Sequence, residues 1–391
     1  MSEWKKIKLG EIVKLQQGFA LNKKSDHYLS DAENGIPLLK ISDLFKGTET
    51  LFVKTDIPKQ FIANDSDIIY SRTGQVGHAF INKKGVVYNN CFKVIVDERT
   101  DKNFLYFFLN IPDIRDTAKS LATGTAQPDL NHDAFKSIKI ELPPLPTQQK
   151  IAKILSNYDN LIENNLKRIK LLEESARLIY EEWFLRFRID GKKLEIDPES
   201  SLPFGWELVE LGDFLKFKKG KKADEIFEEK KDNLIKLLLL SGLGSGEYAY
   251  VEKARHVIAR RGDVLMTMDG ARSSVVFYSE DGAVGSTMSL VETGKLPKSY
   301  LYHFFKSTYE WLEINNTGAA IPHANKSFIN KMKIIHPGDE ILTKWSKKMY
   351  HINDQVFNLK DQNQLLKEAR DILLPRLMTG MIDTDELDIA V

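Results

Sequence analysis

The fold is decided by a stretch near the start of the chain, Trp4-Lys5-Lys6-Ile7-Lys8-Leu9-Gly10-Glu11, because it has a second version further along. The later version is Trp206-Glu207-Leu208-Val209-Glu210-Leu211-Gly212-Asp213, at an offset of 202 residues. A duplicated segment dictates the architecture of a chain, since each copy marks one structural unit. The sequence therefore predicts two related units.

Three further pairs of segments follow the first pair in the same order. They are Asp67-Ile68-Ile69-Tyr70-Ser71-Arg72-Thr73-Gly74 with Asp263-Val264-Leu265-Met266-Thr267-Met268-Asp269-Gly270 and Phe104-Leu105-Tyr106-Phe107-Phe108 with Tyr300-Leu301-Tyr302-His303-Phe304, both at an offset of 196, and Thr123-Gly124-Thr125-Ala126-Gln127-Pro128 with Thr317-Gly318-Ala319-Ala320-Ile321-Pro322 at an offset of 194. The slow drift in offset is what small loop deletions produce. We expect the two units to share a fold and to differ in their loops.

Each unit mixes strand and helix signals. The runs 67–70, 85–96 and 263–267 are rich in β-branched and aromatic residues between Gly or Asn breaks, which is typical of strands, and 103–110 is a helical patch. Four glycines in the matched motifs are predicted to form turns rather than to contact a ligand; they are Gly74, Gly124, Gly270 and Gly318. The predicted fold class is α+β.

A helical seam follows each unit. From Ile151 to Trp183 the seam positions recur at alternating steps of four and three, and adding 194 gives the same seam from Trp345 to Leu373. Either helix alone would expose its seam, so we predict that the two pack on each other and that the internal repeat is pseudo-twofold. Asn165 and Asn363 lie on the seam and either fix its register or are tolerated at its edge.

Cap and stop signals set the expected boundaries. Thr147 is the predicted N-cap of the first helix, while Pro375 and Gly380 are predicted stop signals for the second. The predicted organisation is a first globular domain at 1–146, a spacer helix at 147–189, a linker at 190–202, a second globular domain at 203–338, a second spacer helix at 339–375 and a C-terminal tail at 376–391.

Composition indicates a folded protein without membrane segments. The 391 residues are 42% hydrophobic and 28% charged, with only 13 Pro and 23 Gly, which argues against disorder. No apolar run of about 18 residues and no signal-peptide pattern is present, so we expect a cytoplasmic protein that does not contact a membrane. The single cysteine, Cys91, allows no internal disulfide or cysteine-based zinc site and is predicted to lie in a strand core.

Charge sets a condition on any nucleic-acid partner. The formal net charge is +1, whereas non-specific phosphate binding normally shows as an excess of Lys and Arg. Basic residues must then be segregated, and 218–222 is indeed a dense basic loop. The C-terminal tail is acidic through Asp383, Asp385, Glu386 and Asp388.

The chemistry needed for catalysis is missing from the motifs. The only Pro-Pro, Pro143-Pro144, lacks the polar acceptor and the aromatic ring of an amino-methyltransferase loop, and no phosphate-binding Gly-x-x-x-x-Gly-Lys-Ser/Thr motif is present. The eight histidines are scattered without metal-ligand spacing. We therefore predict no catalytic residue, no bound cofactor and no metal on this chain, which leaves binding as its function.

Polar residues on the loops after the matched motifs are the candidate DNA contacts. The predicted base-reading residues are Arg72, Thr73 and Gln75 in the first unit and Arg272 and Ser273 in the second, because Arg suits guanine O6/N7 and Gln suits adenine N6/N7. The predicted phosphate contacts are Lys23, Lys24, Lys218, Lys219, Lys221 and Lys222.

These motifs together resemble the specificity subunits of type I restriction-modification enzymes along nearly the full length of the chain. The residues that carry the resemblance are Leu9-Gly10-Glu11, Gly74, Gly124 to Pro128, Leu142-Pro143-Pro144-Leu145 before Gln148-Gln149-Lys150-Ile151, Leu202-Pro203-Phe204-Gly205-Trp206-Glu207, and Leu373-Leu374-Pro375-Arg376-Leu377-Met378-Thr379-Gly380. The second unit departs from the first, with His336-Pro337-Gly338 in place of Leu142-Pro143-Pro144 and Met268-Asp269 in place of Arg72-Thr73.

The resemblance implies a non-catalytic subunit that reads a bipartite, asymmetric target in double-stranded DNA. It implies that the domains at 1–146 and 203–338 are target-recognition domains and that the two spacer helices between and after them pair as an antiparallel coiled coil. It also implies that methyltransferase subunits bring S-adenosylmethionine and that a restriction subunit brings ATP and Mg. Two alternatives stay open from the residues alone: a specificity subunit for a system whose partner fuses methyltransferase and nuclease, and a coiled-coil adaptor that binds no DNA. A stand-alone DNA-modifying enzyme is a third class, which would require activity without any partner.

Overall fold

The chain folds into two compact units. The computed structural model describes residues 4–65, 67–124, 126–246 and 248–384. Unit 1 comprises Met1–Asn165 together with Gln362–Val391, and unit 2 comprises Leu166–Asp361. The predicted tail residues Asp385, Glu386 and Asp388 lie outside the described residues, whereas Asp383 lies within them.

Unit 1 contains eleven strands among its described residues, four whole helices and the first part of a fifth. The strands are β1 Lys5–Lys8, β2 Val13–Gln17, β3 Leu29–Ser30, β4 Gly35–Leu39, β5 Phe52–Lys54, β6 Ile62–Ala63, β7 Ile68–Ser71, β8 Ala79–Phe80, β9 Gly85–Val87, β10 Cys91–Val96 and β11 Lys139–Leu142. The helices are α1 Ile41–Lys46, α2 Lys102–Leu109, α3 Pro112–Leu121, α4 His132–Ser137 and α5 Leu145–Tyr180.

Unit 2 repeats most of this pattern, with loops of different lengths and an added hairpin at its beginning. Its strands are β12 Arg188–Ile189, β13 Lys192–Lys193, β14 Glu207–Glu210, β15 Lys216–Lys219, β16 Leu234–Leu238, β17 Ala249–Glu252, β18 Ile258–Ala259, β19 Val264–Thr267, β20 Val276–Tyr278, β21 Gly282–Val284, β22 Met288–Glu292 and β23 Lys333–His336. Its helices are α6 Leu240–Ser245, α7 Lys298–Ser307, α8 Tyr309–Ile314, α9 Lys326–Lys331 and α10 Asp339–Met378.

The same sheets recur in both units, which confirms the predicted α+β repeat. One sheet has the order β2-β10-β7-β8 in unit 1 and β15-β22-β19-β20 in unit 2. A second has the order β3-β5-β4-β9-β6 in unit 1 and β17-β16-β21-β18 in unit 2. In each second sheet one pair is parallel, β4 with β9 and β16 with β21. β1 pairs antiparallel with β11, as β14 does with β23.

The strands β7 and β19 lie at the centre of the first sheet, and all their residues are buried. Their sequences, Ile-Ile-Tyr-Ser and Val-Leu-Met-Thr, are nearly continuous apolar runs, as expected for a strand covered on both faces. Cys91 is fully buried at the start of β10, so its predicted place in a strand core is confirmed. The predicted strand 85–96 is two strands, because the turn that includes Asn89 and Asn90 separates β9 from β10.

The long helices α5 and α10 each contribute to both units, and within each unit they run antiparallel. In unit 1, Ile151 and Leu155 of α5 join Leu374 and Leu377 of α10 in one core. In unit 2 the core instead combines the end of α5 with the beginning of α10, through Ala176, Tyr180, Trp345 and Met349.

The start of α5 differs from the prediction. The helix begins at Leu145, so Thr147 lies inside its first turn and its prediction as the N-cap is wrong. Pro146 fits the second helical position, since its missing N–H would have no intrahelical partner there. The buried Gln148 side chain anchors this turn, because its Nε2 donates to the carbonyls of Pro143 at 2.8 Å and Arg99 at 3.1 Å.

The helix ends also differ from the predicted bounds. The regular part of α5 ends at Tyr180, and a π turn at Glu181–Leu185 follows, with Trp183 and Phe184 buried in the unit 2 core. The hairpin of β12 and β13 comes next, where 147–189 was predicted to be helix and 190–202 a linker.

The second helix continues through Pro375, so the prediction of a stop there is wrong. Proline removes one hydrogen bond, but the burial of Leu374, Leu377 and Met378 in the unit 1 core favours continuation. Gly380 follows the helix with a left-handed backbone, φ 69°, and its N–H donates to the carbonyl of Leu377, as the predicted stop signal requires.

Two kinds of feature are absent from the described ranges. No helix there is both long enough and apolar enough to cross a membrane. Likewise, the residues that the structure describes contain no group of three or more His, Cys, Asp or Glu side chains arranged to hold a metal ion.

Candidate nucleic-acid interface

In each unit three chain segments meet at one end of the first sheet. In unit 1 these are the end of β2, the residues after β7 and the loop closed by Thr123 and Asp129, which we call loop edge 1. Thr73 and Thr123 both form β-bridges with Asp129, and the Gly74 N–H donates to the Pro128 carbonyl at 2.8 Å. The backbone therefore holds Thr73, and with it the neighbouring Arg72, beside a loop that is distant in sequence.

The side chains of loop edge 1 form a polar cluster around Arg72. Its Nε donates to Oδ1 of Asp129 at 3.1 Å, and its Nη2 donates to Oδ2 of the same carboxylate. Its Nη1 donates to Oε1 of Gln17 at 3.0 Å. Thr73 adds a hydroxyl hydrogen bond to Oδ1 of Asp129 at 2.6 Å. The guanidinium is thus held in one orientation from two sides.

Asp129 is ionised in this cluster. Partial burial opposes ionisation, but hydrogen bonds from Arg72 and Thr73 and the charge of Arg72 outweigh it and hold the pKa of the carboxyl below its usual value. The carboxylate therefore stays a strong acceptor at neutral pH, and it balances the charge of Arg72.

Loop edge 2 is the equivalent set in unit 2: the end of β15, the residues after β19 and the loop closed by Thr317 and His323. The backbone contacts are the same, since Asp269 and Thr317 both form bridges with His323 and the Gly270 N–H donates to the Pro322 carbonyl at 2.9 Å. Gly318 has a φ of 90°, and a Cβ there would lie 2.3 Å from the Ile321 carbonyl oxygen, so this loop requires glycine.

The side chains of loop edge 2 have different chemistry. Asp269 occupies the position of Thr73, and its Oδ1 lies 2.8 Å from Nδ1 of His323, which occupies the position of Asp129. Lys219, in the position of Gln17, lies 3.4 Å from Oδ2 of Asp269. Met268 replaces Arg72 and is buried. Burial opposes ionisation of Asp269, but the hydrogen bond from His323 and the charge of Lys219 hold its pKa below the usual value.

The structure brings some of the predicted contact residues to these edges. Arg72, Thr73 and Gln75 lie on loop edge 1, where Gln75 is exposed and its carbonyl accepts a hydrogen bond from Ser71 Oγ at 2.6 Å. Lys219 is part of loop edge 2. Its neighbour Lys218 forms an ion pair with Glu292 at 2.5 Å.

Other predicted contacts lie nearby or are turned inward. Lys221 and Lys222 are exposed just beyond β15, whereas Lys23 and Lys24 are exposed on a loop between β2 and β3. Arg272 is exposed with its guanidinium carbon 5.9 Å from the Phe277 ring centre. Ser273 is buried, and its hydroxyl oxygen lies 2.7 Å from the carbonyl oxygens of both Gly270 and Pro322, so it shapes the loop instead of facing solvent.

The sequence analysis did not predict the roles of four cluster residues. Gln17, Asp129 and His323 were not named, and Asp269 was named only as a departure from Thr73. A signal for two of them existed. The last repeat match ends at Pro128 and Pro322, and the very next residues, Asp129 and His323, differ in chemistry between the copies. A position that diverges directly beside a matched motif was the clue to a functional difference.

The chain was compared with known protein families. The family model of the type I restriction modification DNA specificity domain matches residues 1–174 and residues 203–369. The chain belongs to this family. The two matched segments of the specificity protein contain the two loop edges, one in each, and this arrangement fits DNA target recognition.

Relatives and a solved structure agree with the family. The chain is 24% identical to the type I restriction enzyme MjaVIII specificity subunit of Methanocaldococcus jannaschii, over 99% of this chain and 94% of that protein. It is 22% identical to the type I restriction enzyme HindI specificity subunit of Haemophilus influenzae, over 98% of this chain and 100% of that protein. The crystal structure of the type I restriction-modification system S subunit from M. genitalium superposes with a TM-score of 0.59 at 18% identity, covering 96% of both chains, which shows a common fold.

Proposed function

We propose that this specificity protein is the DNA-recognition subunit of a type I restriction-modification complex and that it reads a bipartite, asymmetric target. The observation that carries the proposal is the pair of loop edges. Each is built from the same backbone contacts, yet one presents Arg72 with Asp129 and the other presents Asp269 with His323. Equivalent loops with different polar groups suit two half-sites of different sequence.

The exposed lysines provide the sequence-independent part of binding. Lys221 and Lys222 lie just beyond the strand that carries Lys219 of loop edge 2, and Lys23 and Lys24 are exposed in unit 1. Flexible ammonium groups suit phosphate contacts, which position a protein on the duplex without reading bases. The overall charge of +1 then reflects acidic residues elsewhere on the chain.

Catalysis and cofactors belong to partner subunits in this proposal. Methyltransferase subunits would bring S-adenosylmethionine, and a restriction subunit would bring ATP and Mg, so that the specificity protein contributes recognition and assembly alone. The complex would act in the cytoplasm, where its DNA substrate is found.

The test is methylome sequencing of a methylation-deficient host that expresses this chain together with the methyltransferase encoded beside it. The control host expresses the methyltransferase alone. We expect a split, asymmetric methylated motif only when both proteins are present. A complex that assembles yet methylates no specific motif, and whose DNA affinity does not fall steeply with salt, would contradict the proposal and favour an adaptor that binds no DNA. Methylation or nicking by the purified chain alone would contradict it as well.

A further inference from the structure

Arg72 differs from the other cations near the loop edges because hydrogen bonds to two different side chains fix its orientation, and one of these partners also balances its charge. Asp129 takes its Nε and Nη2, and Gln17 takes its Nη1. A guanidinium has five N–H donors, so one donor on each terminal nitrogen is left after the three bonds that described residues accept. The side chain is 23% exposed, which keeps part of the group at the surface.

A guanidinium in this state suits a base better than a phosphate. Phosphate binding draws on an uncompensated positive charge, and Asp129 already balances the charge of Arg72. The donors that remain on Nη1 and Nη2 can meet the O6 and N7 acceptors of guanine, the pair of atoms that marks this base in the major groove. A fixed fork also loses less conformational freedom on binding than a mobile side chain does.

Unit 2 lacks this group at the equivalent position. Met268 stands there and is buried, with its side chain in the unit 2 core. Loop edge 2 therefore presents an imidazole and a carboxylate where loop edge 1 presents a guanidinium, although the backbone contacts are alike.

We propose that Arg72, positioned by Asp129, reads a guanine in one half-site, and that unit 2 makes no such contact at the corresponding base. This inference rests on the proposed function and names one specificity-determining residue and the base it selects. Asp129 is a positioning residue, since it acts on DNA only through the orientation of Arg72.

The experiment uses the full complex of this chain with its methyltransferase, and it measures methylation of a library in which every base of the target is varied. Arg72→Ala should relax the requirement for guanine at one position of one half-site by about 5- to 150-fold, the range of one good bidentate contact. Arg72→Lys keeps the charge but not the fork, so the same position should relax by a smaller factor. Asp129→Asn should also relax that position, by less than Arg72→Ala.

The matched control is Arg99→Ala. Arg99 also belongs to unit 1 and also forms an ion pair with an aspartate, Asp97, but away from loop edge 1. This variant should leave the base preference at every position of the target unchanged.

A second readout separates a base contact from a phosphate contact. Arg72→Ala should leave the salt dependence of DNA binding nearly unaltered, whereas losing a phosphate contact lowers the slope of log affinity against log salt by about 1.

Several results would overturn the inference. An assembled Arg72→Ala complex that keeps the wild-type preference at every base would do so, as would relaxation in both half-sites together. If Arg72→Ala fails to assemble, Arg72→Lys decides, and an unchanged preference in that complex counts against a guanine contact. In each of these cases the wild-type complex would still methylate a split motif, so only the inference about Arg72 would fail. If the wild-type complex itself produced no split motif, the proposed function would fail, and this inference with it.

Discussion

The two units use equivalent positions on α5 and α10 for opposite kinds of contact. In unit 1, Nδ2 of Asn165 donates to Oδ1 of Asn363 at 3.0 Å, and both side chains are buried. In unit 2 the equivalent pair, at an offset of 194, is Leu359 with Ile169, which pack in a buried apolar cluster. The sequence thus placed two asparagines on the seam, and the structure joins them to each other. A single polar pair within an apolar seam favours one register.

A second pair of positions shows the same contrast. In unit 1, Arg370 donates from Nη1 to Oδ1 of Asp159 at 2.5 Å. In unit 2 the equivalent residues are Ala176 and Asn353, and both line a cavity of about 820 Å³ beside Tyr302 and His303. The duplication kept the positions of the helix contacts but not their chemistry. Polar pairs add to the apolar packing between the helices in unit 1, whereas apolar and aromatic side chains occupy the equivalent region of unit 2.

The largest effect should come from removing the centre of the aromatic core in unit 2. Trp345 is fully buried, with its ring centre 5.2 Å from that of Phe184 and 5.6 Å from that of His303. Trp345→Ala should lower the free energy of unfolding of unit 2 by about 3–5 kcal/mol. Urea denaturation measures the loss. Trp345→Phe is the control and should cost less, because it keeps a ring and removes an indole N–H that has no partner among the described residues. Equal losses would contradict the aromatic account.

The next effect is a pH dependence of the free energy of unfolding that we expect in unit 2 alone. Burial, with a smaller contribution from Lys306, lowers the pKa of His303 to about 4. Unfolded histidine takes up a proton near pH 6.5, whereas the folded side chain stays neutral. The contribution of His303 to the free energy of unfolding should therefore fall by about 3 kcal/mol as pH drops from about 6.5 to about 4 and change no further below that range.

The residue of unit 1 at this position supplies the control. Phe107 of unit 1 is equivalent to His303 of unit 2 at the offset of 196, and its side chain cannot titrate. His303→Phe therefore removes the titrating group and replaces it with the residue that unit 1 uses. Urea unfolding at several pH values should show that the difference between wild type and His303→Phe depends on pH in this range. A difference that is constant with pH would show that His303 does not carry the effect.

A third experiment exchanges the seam pairs. Asn165→Leu alone leaves Asn363 buried without its partner, and we expect a loss of about 1–3 kcal/mol in the free energy of unfolding. The double variant with Asn363→Ile installs the apolar pair of unit 2 and should recover most of this loss, because both polar groups are gone. Denaturation midpoints of the two variants measure the difference. If the double variant were as unstable as the single one, the asparagine pair would not be the source of the loss.

The smallest effect should come from the ion pair. The side chains of Arg370 and Asp159 are 27% and 31% exposed, so solvent screens them in part. Arg370→Ala should cost about 1 kcal/mol in the free energy of unfolding. A double-mutant cycle with Asp159→Asn isolates the interaction. A coupling energy near zero would show that this pair contributes nothing beyond its packing.

The repeat allowed much of the fold to be predicted, because matched motifs report a shared backbone even when their chemistry differs. Trp4 and Trp206 marked the two beginnings, and the seam from Ile151 predicted both helices. The helix ends were predicted less well, since continuation through Pro375 depends on burial of Leu377 in a core built from distant residues. Local signals do not carry that information.

The candidate site could be predicted only in part for the same reason. Arg72 and Thr73 were found because they follow a matched strand. Their partner Asp129 lies 56 residues after Thr73, and the backbone bridge between them depends on tertiary structure. Ser273 shows the converse, since a polar side chain on a predicted loop is turned inward.

The chain segments that form each unit determine the order in which the two units can fold during synthesis. Unit 2 is one continuous segment, Leu166–Asp361, whereas unit 1 needs residues from both sides of it. Leu374, Leu377 and Met378 complete a core whose other members begin at Ile7. A ribosome therefore releases every residue of unit 2 before unit 1 has all of its core. The half that starts first finishes last, and until then its apolar surface depends on chaperones or on its own partial structure for protection from aggregation.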